Sequence, residues 1–219
     1  MAPILQAATE RDPTAELRQA IVDGVFHPNE RLVEEDLALR FQTKRSSIRA
    51  ALTVLAQERL VVHERNRGAR VRLVTIEEAA EILECRAVIE GLVARKAAER
   101  IDADGIATVR SIVADMKKYA DDGDVRAYSE CNGRFHGALL TVAHHTAAEH
   151  LLVLLTAQIV RHQYRSALNP GRPTQSLREH AAVLDAVVAG DGAAAENAMR
   201  AHILNVTLAV REGASTQFP

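Results

Sequence analysis

From Thr75 to Gly213 the sequence shows no alternation of apolar and polar residues of the kind a strand needs. Its apolar residues recur at three- and four-residue intervals, so this stretch folds as helices. Thr75 with Glu78 makes a capping box at its start. Turn-rich breaks fall at 102–105, 121–124, 144–146, 169–174 and 190–192. They predict about six or seven helices joined by short connections, with sequential neighbours packed antiparallel as a bundle.

The residues ahead of Thr75 follow a different pattern. Asp12 and Pro13 supply a capping side chain and a preset φ for a helix whose stripe is Leu17, Ile21 and Val22, with Gly24 at its end. A second short helix is expected over 34–41, a tight turn at Gln42-Thr43, and a third helix over 44–57 that buries Ile48, Ala51, Leu52 and Leu55. That burial leaves Arg45 and Arg49 one turn apart on the opposite side. Val61-Val62-His63 and 69–74 then read as two strands of a hairpin around the basic run 64–68. Two domains are thus expected in a mainly α chain: 12–74, a winged helix-turn-helix of three helices and a β-hairpin wing, and 75–213, the antiparallel helical bundle.

Net charge is −2, which alone argues against a nucleic-acid partner, but the charge is unevenly spread. Between Arg40 and Arg72 nine arginines and lysines stand against only Glu58 and Glu64, so that stretch can meet phosphates while the remainder repels them. A short helix, a tight turn and a helix with basic and hydroxyl residues on its free face is the geometry that enters a major groove. Arginine can fork onto guanine there, and a basic wing can follow the backbone or the minor groove. No apolar run reaches membrane-spanning length and no cleavable leader opens the chain, so no membrane partner and a cytoplasmic location are expected. Cys85 and Cys131 lack the spacing of a zinc or redox motif and are expected to be core thiols.

The stretch from Leu17 to Val71 resembles the winged helix-turn-helix of the GntR family of regulators. Residues 30–38 (ERLVEEDLA), 45–52 (RSSIRAAL) and 66–71 (NRGARV) match the family pattern in order and spacing. The resemblance implies a double-stranded DNA operator read or braced by Lys44, Arg45, Ser46, Ser47 and Arg49, with Asn66, Arg67 and Gly68 supporting from the wing. Gln42 stands where the family has a turn glycine, Ser47 and Ala50 replace its common proline and glutamate, and Lys44 replaces a capping hydroxyl, for which Thr43 would substitute one residue early.

In the helical part, Arg86 and Glu90 share a stripe with Ala79, Leu83, Val93 and Ala97, which aims both charges inward. Two readings stand: a structural salt bridge, with Ile82, Ile89 and Leu92 as a competing apolar face, or an arginine that holds a carboxylate ligand. Asn132 and His136 lie one turn apart, and His180 and His202 sit on two later helices, so three imidazoles and an amide can converge on a divalent metal. Taken singly, each histidine is more often a surface or hydrogen-bonded core residue than a ligand.

The segment is similar to the helical effector-binding domain, FCD, of the FadR-type branch of GntR regulators, through 86–90 (RAVIE), Asn132 with Phe135-His136, Glu179-His180 with Val183-Leu184, and 198–202 (AMRAH). The resemblance implies Asn132, His136, His180 and His202 as metal ligands, with Zn2+ first and Ni2+ or Mn2+ as alternatives, and Arg86 and Glu90 at the effector. Members that bind fatty acyl-CoA lack this histidine set. The expectation is a homodimeric repressor, not an enzyme, that binds a palindromic operator and senses a small carboxylate near a divalent metal. Two rivals are a metal-dependent helical enzyme carrying a DNA-binding module, and a regulator whose helical domain only dimerises and binds no metal.

Overall fold

The computed structural model describes residues 12–64 and 68–215, and the chain divides into two compact units between Leu73 and Val74. The first unit contains α1 (Pro13–Val22), β1 (Arg31–Leu32), α2 (Glu34–Arg40), α3 (Arg45–Gln57), β2 (Val61–Glu64) and β3 (Gly68–Val71). Its centre is Leu17, Leu32, Ile48, Leu52 and Leu55, all essentially inaccessible to water, which is the apolar face the helical spacing required. The Asp12 carboxylate caps α1 by accepting from the Thr14 N–H at 2.9 Å.

The wing is one strand richer than the hairpin expected from the sequence. Arg31 and Leu32 pair antiparallel with Arg70 and Ala69, which makes a three-stranded sheet of order β1-β3-β2. Two residues are too short a run for alternation to register, so this strand is set by β3 rather than by its own pattern. Gly68 opens β3 at φ +84°, and a Cβ there would lie 2.9 Å from the Leu32 carbonyl oxygen, so the close approach of the strands requires glycine. The cap of α3 also differs from expectation: the cap position is Lys44, whose side chain makes no capping bond, and Thr43 does not substitute for it.

The second unit holds six helices among the described residues: α4 (Ile76–Arg100), α5 (Ala103–Asp121), α6 (Val125–Ala143), α7 (Thr146–Ala167), α8 (Arg172–Val188) and α9 (Gly192–Ser215). Every break falls where turn residues cluster, and Thr75, Asp102 and Asp124 each accept a backbone N–H to start the helix that follows. The packing is not simply sequential, because α4 lies chiefly against α9 rather than its chain neighbour α5. The reason is in the sequence of α4, which buries Ala80, Ile82, Ala87, Ala94 and Ala98 beside the stripe of Ala79, Leu83, Val93 and Ala97. A helix buried on more than one stripe sits inside the bundle, with α6, α7 and α8 also against it. Phe135, Leu139, Met116, Ile159, Met199 and Ile203 fill the space between these helices. Cys131 is buried as expected, but Cys85 is exposed on α4 and is no core thiol.

Candidate metal centre and nucleic-acid interface

In the first unit, α2 and α3 are joined by a tight turn in which Gln42 takes the left-handed conformation at φ +50°. The exposed side of α3 carries Lys44, Arg45, Ser46 and Arg49, with Ser47 half-buried. Neither arginine stands alone. Arg49 forks onto Glu34 through Nε (3.0 Å) and a terminal nitrogen (2.8 Å), and Arg45 lies 3.7 Å from Glu35. The Arg49 bonds and charge hold the Glu34 carboxyl below its ordinary range. Other basic residues of this stretch have structural partners: Arg40 lies over the Phe26 ring at 4.8 Å, and Arg70 bonds Glu64 and the Asn29 carbonyl. Asn66 and Arg67 lie outside the described residues.

In the second unit the buried charged and imidazole side chains, Arg86, Glu90, Arg172, His180 and His202, are linked with His136 and Glu179 into one layer by a continuous set of contacts. Arg86 and Glu90 both face inward, bonded to each other from Arg86 Nε to Glu90 Oε1 at 2.8 Å. The stripe that put them there is buried along its length, while of the competing face Ile82 is buried and Ile89 and Leu92 are only half-buried. The other Glu90 oxygen lies 2.5 Å from His136 Nδ1, a close contact although not aligned as a hydrogen bond. Burial would raise the Glu90 pKa, but the charge of Arg86, with His136 close by, overcomes it and holds the carboxyl far below its ordinary value.

His136 on α6, His180 on α8 and His202 on α9 come together, each offering a nitrogen within 4.8 Å of the others. His180 Nε2 and His136 Nε2 are 3.4 Å apart, near the roughly 3.3 Å expected of two imidazole nitrogens on one tetrahedral zinc ion. His180 Nδ1 is 3.3 Å from Ser176 Oγ, and His202 Nδ1 is 2.7 Å from Glu179 Oε2. Asn132 is half-buried one turn before His136 on the same helix.

Burial pushes the His180 pKa well below its ordinary value, helped by the two neighbouring imidazoles. Burial likewise takes His202 to about 4, against the opposing pull of Glu179. Both rings are therefore neutral near pH 7, the state that can ligate a metal. The donor set fits a divalent ion of the zinc, nickel or manganese type, and His136, His180 and His202 are the residues that would hold it.

Sequence reasoning gave no site role to the residues behind this layer, although Glu179 is among those that carry the FCD resemblance. Glu179 accepts a two-pronged bond from Arg172, with both contacts at 2.9 Å, and one from Asn205 Nδ2 at 3.0 Å. Burial raises its pKa, but the His202 and Arg172 bonds and charges prevail and bring it to about 2. The signal was the spacing 172, 176, 179, 180 and 183, which places Arg172, Ser176 and Glu179 on the face of α8 that carries His180 and Val183. Tyr128 enters the same layer from α6. Its hydroxyl is buried with no hydrogen-bond partner among the described residues, and burial pushes the phenol up to about 12 despite the pull of Ser176 and Arg172. Two other histidines have structural tasks: His145 caps α7 through Ala148 N, and His162 bonds the Val74 carbonyl.

Comparison with known proteins agrees with both units. Residues 13–71 match the model of the bacterial regulatory proteins of the gntR family, and residues 81–205 match that of the FCD domain. The chain is 26% identical over 196 residues to the HTH-type transcriptional repressor RspR of Escherichia coli, covering 90% of this chain and 86% of that one. It is 29% identical over 217 residues to the galactonate operon transcriptional repressor of the same species, covering 90% and 94%. Among solved structures, Escherichia coli McbR/YncC superposes with a TM-score of 0.75 at 17% identity over 91% of this chain and 96% of that one, a likeness of fold. The two repressors are regulators of transcription and not enzymes, and among the described residues no helix is long and apolar enough to cross a membrane.

Proposed function

We propose that this chain, which belongs to the GntR family of bacterial regulatory proteins and carries an FCD domain, regulates transcription as a homodimeric repressor whose hold on a palindromic operator responds to a small organic acid bound beside a divalent metal. The observation that carries the sensing half is the cluster of His136, His180 and His202, in which the two most buried rings are held neutral. Asn132 completes the ligand set with an amide oxygen. A divalent ion bound there would supply fixed positive charge in a largely buried site.

That charge bears on the effector. Arg86 with Glu90 and Arg172 with Glu179 cancel within the layer, so the histidines bring no negative charge to offset an ion. An anionic effector makes up the difference. Arg86 still has a buried terminal nitrogen with no partner among the described residues, and we assign it, beside Glu90, to the effector's carboxylate.

For DNA, Lys44, Arg45, Ser46, Ser47 and Arg49 are assigned to the major groove and the wing residues Asn66, Arg67 and Gly68 to the backbone or minor groove. Two-fold symmetry of a dimer matches two half-sites, because one helix reads only a few base pairs. The test is elemental analysis of wild type and His180→Ala, beside operator titrations with and without candidate carboxylic acids. Expected are a stoichiometric divalent metal lost in the variant, operator binding by both proteins, and release by the acid in wild type only. Full metal occupancy in His180→Ala would overturn the sensor assignment.

A further inference from the structure

We propose that Glu90 and Glu179 are positioning residues of the metal centre: each holds the Nδ1 edge of one histidine, His136 or His202, so that the Nε2 lone pairs meet, and each is itself fixed by an arginine. The inference rests on the metal-centre reading above and assigns roles to residues outside the ligand set. Two separate chains of contacts reach the centre. One runs Arg172 to Glu179 to His202, with heavy-atom separations of 2.9 and 2.7 Å. The other runs Arg86 to Glu90 to His136, with separations of 2.8 and 2.5 Å.

An imidazole whose Nδ1 faces a carboxylate keeps its proton there and leaves Nε2 as the acceptor. For His136 this is the nitrogen that lies 3.4 Å from His180 Nε2. For His202 the bond to Glu179 takes up Nδ1 and leaves Nε2 to ligate. His180 is served more weakly, by the Ser176 hydroxyl. A carboxylate is the stronger brace because its charge also raises the basicity of the ring it holds. Buried carboxylates would not stay ionised alone, which is the reason for the arginines behind them. Asn205 adds a further bond to Glu179, so that this carboxylate is gripped by three different side chains.

Glu179 is the sharper test, since its contact with His202 is the better aligned. Metal-stripped wild type, Glu179→Gln, His202→Ala and the double variant are titrated with Zn2+ against a competing chelator, with circular dichroism as the check on folding. Glu179→Gln should weaken Zn2+ binding by about 10- to 100-fold in the wild-type background. It should have little further effect in the His202→Ala background, because its action passes through that ring. A wild-type affinity in Glu179→Gln, or the same loss in both backgrounds, overturns the positioning role while leaving the metal centre standing. A wild type that takes up no Zn2+ overturns both. Should Glu179→Gln not fold, long-range 1H–15N spectra of the wild-type zinc form decide: Nδ1-protonated tautomers at His136 and His202 support the inference, and an Nε2-protonated His202 refutes it.

Discussion

Helix α3 and the centre of the bundle both pair arginine with glutamate, at opposite extremes of burial. Arg49 is 67% and its partner Glu34 20% exposed, whereas Arg86 and Glu90 are 4% and 5% exposed. An exposed pair is screened by salt and contributes little or nothing measurable to folding. A buried pair cannot lose one member without leaving a charge stranded in a medium that does not solvate it. The same two groups are therefore exchangeable in one unit and fixed in the other. An arginine that can trade a carboxylate for a phosphate or a guanine edge suits a surface that must bind and release DNA, and a fixed pair suits a site whose geometry must not change between occupants.

The largest effect should come from breaking the fixed pair. Glu90→Ala strands Arg86 and should cost the second unit about 3–5 kcal/mol. Glu34→Ala, which frees Arg49 at the surface, should leave the first unit's unfolding midpoint nearly where it was. Urea melts resolved by hydrogen exchange in each unit make the comparison. Equal losses in the two units would show that burial does not separate the pairs.

The next effect uses Tyr128, whose burial the exposed side chains of α3 do not share. All three tyrosines of the chain, Tyr119, Tyr128 and Tyr164, lie in the second unit, so phenolate absorbance reports on that unit alone. The folded-state value for Tyr128 is about 12 against an ordinary 10.0. Stability from this group is thus complete below pH 10 and is lost as pH rises through 12, because the unfolded chain releases its proton first. The loss is on the order of 3 kcal/mol. Tyr128 titrating at its ordinary value in the folded protein, assigned by comparison with Tyr128→Phe, would mean that water reaches the layer.

The two units were also unequally legible in the sequence. In the bundle, the periodicity of α4 put Arg86 and Glu90 inside, and turn residues marked all the breaks, because both signals are local to a helix. What local pattern could not give was the partner of each buried group: Glu179 looked like any charged residue beside a histidine until α8 and α9 brought Arg172, His202 and Asn205 around it. In the first unit the basic window from Arg40 to Arg72 was read as nearly free of acids. Glu34 and Glu35 lie just outside that window, and the turn after α2 folds them back onto the arginines of α3. Strand β1 escaped notice for the same reason, since its pairing with β3 spans nearly forty residues of sequence.

A smaller effect should separate binding from folding. Arg49→Ala should lower operator affinity by roughly ten- to a hundredfold if its fork transfers from Glu34 to a guanine, and less if it meets only a phosphate. The melt should not move, in contrast to Glu90→Ala. Titrations against operator and random duplex over a range of salt distinguish the two contacts, because loss of a phosphate contact lowers affinity for every sequence and flattens the salt dependence. Unchanged affinity for both duplexes would remove Arg49 from the interface.

The smallest effect tests how α2 is stopped ahead of α3. Helices α1 and α2 end in the same motif. Gly24 N–H bonds Ile21 O and Val25 N–H bonds Ala20 O, while Gln42 N–H bonds Leu39 O and Thr43 N–H bonds Ala38 O. The motif needs a left-handed residue at its centre, with φ +80° at Gly24 and φ +50° at Gln42. A Cβ in that conformation costs about 1–2 kcal/mol, and part of the cost is returned because glutamine has less freedom than glycine to lose on folding. Gln42→Gly should therefore stabilise the first unit by about 0.5–1 kcal/mol. Gly24→Gln should cost a similar amount, since a Cβ at Gly24 meets nothing within 4 Å and only the backbone conformation opposes it. Opposite shifts of the first unit's midpoint, with the second unit unmoved, are the expected pair of results. If neither substitution moves that midpoint, the left-handed turn carries no strain, and glutamine in place of glycine is neutral to the stability of the helix-turn-helix.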